Sequence, residues 1–189
     1  MLAYAALMPE RVVAAACISG VAPYSADGLD WTKGMGELNV QEFGLVIAGD
    51  DQTLPAGMKD DAEKMRGATL HELMEQMGSI LSPQDREIMQ GEMGPFLVDT
   101  MRAAVAEDVF GGFDDDMAFF HPWGFDPADI RVPTQVWQGA NDLMVPFGHG
   151  EWLAGHIPGA EAHLEPQLGH LTVIARRISE VHEWLLARF

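Results

Sequence analysis

The chain reads as an α/β protein, a mainly parallel sheet flanked by helices, and three observations carry that reading. Three short apolar runs, 12–18, 132–137 and 162–165, have the composition of buried strands. The second and third are each followed by a loop and a helical pattern, and the unit recurs after about thirty residues. Each of those loops carries one residue suited to proton chemistry, Asp142 after the second run and His170 after the third. Open α/β sheets gather their chemistry at the C-terminal ends of neighbouring strands, so the two residues are candidates for one site.

Composition bounds the function classes. A length of 189 residues suits one domain with a sizeable core, and 48% hydrophobic with 21% charged residues is a globular balance. The net charge of −18 argues against nucleic acid or an anionic membrane face as partner. A single cysteine, Cys17, excludes an internal disulfide framework and a thiolate metal cage; within an apolar run it reads as a buried structural thiol. No stretch is apolar enough for long enough to span a bilayer. Pro9-Glu10-Arg11 interrupts the first apolar segment with no basic residue before it, so no signal peptide is read and the protein is expected in the cytoplasm.

In chain order, residues 2–8 are Ala-rich and end at Pro9, as the last turns of a helix would. The run 12–18 is apolar throughout, as in a strand covered on both faces, and Ser19-Gly20 leads out of it. Between 25 and 120 the pattern becomes helical and rich in Met. Leu70, Leu73, Met74, Met77 and Ile80 fall at helical spacing, as do Leu97, Met101, Val105 and Val109. Ser82-Pro83 has a capping residue followed by proline at the first helical position.

Asp114, Asp115 and Asp116 are read as the acidic start of a helix leading into Met117-Ala-Phe-Phe120. Together with His121 they also suggest a metal-dependent enzyme, the third of three functional readings. His121 to Asp126 returns from the helical part to the strands. A helix is predicted over 147–156, with His149, His156 and His163 solvated or packed, and a last helix over 171–188 with Val173, Ile174, Ile178, Val181, Trp184 and Leu185 as its buried stripe. No internal repeat, phosphate-binding loop or dinucleotide fingerprint occurs.

Gly139-Ala-Asn-Asp142 with Val145-Pro146, followed by Gly169-His170, resembles the acid and histidine of an α/β-hydrolase triad. The first helix with Pro9-Glu10-Arg11-Val12 resembles the stretch that follows that family's nucleophile elbow. The resemblance implies that the three strands are the last three of a mainly parallel sheet. It also implies a hydrolase core over 1–24 and 121–189, with an all-helical lid over 25–120. In it Asp142 orients the imidazole, His170 is the general base, and Trp123, Phe125 and Met144 shape an apolar substrate pocket. No cofactor and no metal are expected.

One departure is large: no Gly-x-Ser-x-Gly and no HG-type oxyanion loop occur. Ser19 follows the wrong strand and has no glycine-flanked elbow; Ser25, Ser79, Ser82 and Ser179 lack that context as well. The nucleophile and earlier strands are therefore expected upstream, with Met1 an internal methionine of a longer ancestral protein or a start codon placed too far downstream. The first functional reading is a hydrolase of small ester-like substrates, with serine the expected nucleophile, inactive as this chain alone. The second is a non-catalytic remnant, pseudoenzyme or binding module. A strand edge left bare predicts marginal stability, self-association or dependence on a missing N-terminal half.

Overall fold

Strand β2 (Thr134–Gly139) is the centre of a three-stranded parallel sheet in the computed structural model, which describes residues 1–49 and 53–189. The order is β1 (Ala15–Ile18), β2, β3 (Glu161–Glu165), with Ala15 opposite Thr134 and Gln135 opposite Glu161. Every residue of β2 is buried, which is why its run carries so little charge.

The pleat sends alternate residues to opposite faces. On one face Ala15, Cys17 and Val136 pack with Leu2 and Ala5 of α1 (Leu2–Leu7) and with Leu153 of α8 (Phe147–His156). On the other, Trp137 packs with Ala16 and Ile18 against Val173 and Val181 of α9 (His170–Leu186). Burying a Val or Leu side chain contributes about 1.5–3 kcal/mol, so the two layers hold the sheet between them.

Among the described residues, six helices lie between β1 and β2 in sequence: α2 (Glu37–Ala48), α3 (Thr53–Gly67), α4 (Leu70–Gln76), α5 (Pro83–Gln90), α6 (Met93–Ala104) and α7 (Phe110–Phe120). Residues 50–52, inside the span read as a lid, lie outside the described residues. Local signals start these helices where the chain needs them to start. Thr69 and Glu72 form a reciprocal capping box on α4, and the Ser82 hydroxyl caps α5 with Pro83 at its first position. Met74, Leu81 and Met89 bury together with Met144 and Leu171, seating the insertion on the loops that carry Asp142 and His170.

Several boundaries differ from those read in the sequence. The first strand begins at Ala15 rather than at 12, because pairing with β2 starts where Ala15 N–H donates to Pro133 O; Val13 before it is exposed. Its coverage is also uneven, with Ala15 and Cys17 buried and Ala16 and Ile18 half-buried. The second strand runs from Thr134 through Gly139, two residues later than predicted. Asp114 to Asp116 sit inside α7 and not at its start, since Asp108 Oδ1 accepts the Phe110 N–H and opens the helix there. The spacing through Met77 and Ile80, and through Val105 and Val109, outruns the helices, which stop at Gln76 and Ala104.

Candidate active site

The two loops at the C-terminal ends of β2 and β3 are tied to each other by backbone. Ala140 N–H donates to Glu165 O at 2.8 Å and Asn141 N–H to Leu168 O at 2.9 Å. Gly139 permits this approach: a Cβ there would fall 2.3 Å from Leu168 O. The loops are so close that Asp142 and His170 meet, with Oδ2 of the carboxylate 2.9 Å from Nδ1 of the ring.

Asp142 is fixed from every side. Its Oδ1 accepts the backbone N–H groups of Met144 and Val145 at 2.8 Å each, and its Oδ2 also accepts Gln138 Nε2 at 3.0 Å. It is buried, and four donors offset the loss of hydration that burial imposes on a carboxylate. A carboxylate can only accept, so Nδ1 of His170 carries the proton and Nε2 of the neutral ring keeps its lone pair. Among the described residues no hydrogen bond reaches Nε2. The arrangement can take up a proton at Nε2 while Asp142 stabilises the resulting imidazolium.

His170 lines a cavity of about 750 Å³. Trp123, Phe125 and Met144 line it too, the first two stacked with ring centroids 5.5 Å apart, and so do Ser19 and Cys17. The wall is mostly apolar, which suits an uncharged ligand. Burial pushes the Cys17 thiol up to about 11, so it is a protonated packing group and not a nucleophile.

The metal reading does not assemble. His121, just past the end of α7, donates from Nδ1 to Met117 O, and among the described residues no group of three or more His, Cys, Asp or Glu is placed to hold a metal ion. Burial first, and the neighbouring Glu42 carboxylate second, push Asp116 up to about 7.

Sequence reasoning gave four residues around the site no role there. Gln138 had a visible signal, a polar side chain at the end of a buried strand. His149 is fully buried on α8, accepting the Ala22 N–H at Nδ1 and donating from Nε2 to Trp31 O, so it pins the entry of the insertion to the core. Asp85 had only its local Ser-Pro-x-Asp pattern, while its partners lie on α9. Ser19, set aside in the sequence, is buried at φ 48° with a hydroxyl that has no hydrogen-bond partner among the described residues.

No protein-family model and no curated protein matches this chain. Among solved structures, it is similar to olei00960, a hydrolase from Oleispira antarctica, with a TM-score of 0.55 at 12% identity over 96% of this chain. The likeness shows a shared α/β fold, a parallel sheet flanked by helices. A weaker likeness, TM-score 0.45 at 20% identity over 99% of the chain, is to an alpha/beta hydrolase fold protein from Nakamurella multipartita. The chain spans 59% and 65% of the lengths of these two proteins. No helix among the described residues is long and apolar enough to cross a membrane.

Proposed function

We propose that this chain is the acid–base half of an α/β-hydrolase acting on small, uncharged ester-like substrates. His170 is the general base and Asp142 the acid that orients it. The observation that carries the reading is the 2.9 Å contact between Asp142 Oδ2 and His170 Nδ1 at the wall of an apolar cavity. Trp123, Phe125 and Met144 form the substrate wall, and the helices between β1 and β2 act as its lid.

The nucleophile belongs on the turn ahead of α1. Met1, Leu2 and Ala3 line the same cavity as His170, so a side chain on that turn opens toward the imidazole. The outer edge of β1, which pairs with no strand among the described residues, is where the strand leading into that turn pairs. In the reaction His170 Nε2 takes the nucleophile's proton as it attacks the acyl carbon, then returns a proton to the leaving alcohol. Water repeats the cycle to release the acid.

The coding DNA upstream of Met1 tests this reading. An in-frame strand, Gly-x-Ser-x-Gly and helix support it. A stop codon with no such segment supports instead a non-catalytic remnant or binding module, the reading favoured by the absence of Gly-x-Ser-x-Gly from this sequence.

A further inference from the structure

Helix α9 begins at His170, yet its N-cap is Gly169, which has no side chain with which to cap it. Its first three backbone N–H groups would be orphans. Asp85, on α5 of the insertion, takes all three. Oδ2 accepts His170 N–H at 3.0 Å, and Oδ1 accepts Leu171 N–H at 3.0 Å and Thr172 N–H at 2.9 Å.

Two hydroxyls complete the site, Ser82 to Oδ2 at 2.8 Å and Thr172 to Oδ1 at 3.1 Å. The residue is 0% exposed. A carboxylate is stable there because five donors and the positive end of a helix replace its water. Gly169 makes the room: a Cβ on it would fall 2.3 Å from Asp85 Oδ2 and 2.4 Å from Ser82 Oγ.

We propose that Asp85 is a positioning residue for His170: by capping the helix that the histidine opens, it ties the seating of the insertion on the core to the alignment of the imidazole with Asp142. Thr172 Oγ1 of α9 accepts the Gly169 N–H, but for its first three helical N–H groups α9 borrows its acceptor from the insertion. When α5 lifts away, the first turn of α9 loses all three acceptors and the ring loses its fixed distance from Asp142. The inference rests on reading His170 as the base.

The test is the tautomer of His170, read from nitrogen shifts in protein carrying ¹⁵N-histidine, at alkaline pH where imidazole is neutral. His170→Ala assigns the signals. The wild-type ring is expected in the Nδ1–H form that Asp142 selects. Asp85→Ala is expected to shift it toward the Nε2–H form of an unconstrained ring, with backbone exchange at 170–172 faster by about tenfold or more. Asp85→Asn, which keeps one acceptor oxygen, is expected to fall between, and it decides the matter with the same outcomes if Asp85→Ala does not fold. Gly169→Ala, which evicts the carboxylate without removing it, is expected to match Asp85→Ala. Folded variants with lowered melting temperatures but a wild-type tautomer would overturn the proposal. Because the readout is the ring and not turnover, a protein that hydrolyses no ester yet shows this shift upholds the inference while failing the proposed reaction.

Discussion

Gln138 Nε2 stands 3.0 Å from Asp142 Oδ2, the same oxygen that faces His170, and 2.7 Å from Val145 O. One buried amide thus ties the acid to both ends of its loop, and Gly150 of α8 makes space for it, since a Cβ there would fall 2.3 Å from Gln138 Cβ. Gln138→Leu leaves two buried acceptors short of a donor. It is expected to cost about 1–3 kcal/mol in urea unfolding. On the proposed hydrolase reading it should also lower ester turnover by about 10²-fold through a loosened acid. Gln138→Glu, which sets a second carboxylate beside Asp142, is expected to be worse on both measures.

Gly139 and Gly169 are needed for space. Gly139→Ala drives a methyl into Leu168 O and is expected to destabilise the fold by about 1–3 kcal/mol, measured by denaturant midpoint at constant slope. Gly124, with φ 70° and open space around it, is the contrasting position. Gly124→Ala is opposed by backbone conformation alone and should cost about 1 kcal/mol.

Ser19 at φ 48° stores strain at the wall of the cavity. Ser19→Gly is expected to stabilise the chain by about 1 kcal/mol in thermal or urea unfolding, because glycine adopts that conformation freely and the unpartnered hydroxyl is removed. An unchanged or lowered stability would show that the hydroxyl has a partner in solution.

Two groups give opposite pH dependences. Asp116 has a native pKa of about 7 against an ordinary 3.8, so the native state holds the extra proton; its contribution is complete below 3.8 and is lost as pH rises through about 7. His149 is the reverse. Burial lowers it below its ordinary 6.5, so its contribution is complete above 6.5 and is lost as pH falls through the lowered native value. Asp116→Asn is expected to raise the melting temperature at about pH 8 and flatten the loss on the alkaline side. His149→Gln is expected to weaken the packing of Trp31 and Ala22 at every pH while flattening the loss on the acid side.

How much of this was legible in the sequence depends on distance along the chain. Asp142 and His170 were visible because each stands in a loop that follows a recognisable strand, and a strand's C-terminal end is a place that pattern alone can locate. The helical insertion was visible from its apolar spacing. Asp85 was not, because its partner His170 is 85 positions away, and neither was His149, 127 positions from Ala22. A local pattern shows that Asp85 follows a capping serine and cannot show which second helix it also caps. The acidic run was misplaced for a related reason: Asp108 starts α7 through its side chain, ahead of two glycines that suggest a break.

The central claim is that Asp142 and His170 work as one unit on a substrate in the apolar cavity. The most direct measurement is hydrolysis of a chromogenic short-chain ester by the polypeptide extended through its upstream reading frame, beside Asp142→Asn and His170→Ala versions that fold normally. The account predicts turnover by the parent and a loss of about 10⁴-fold in each variant. Turnover that survives both substitutions undiminished would contradict it.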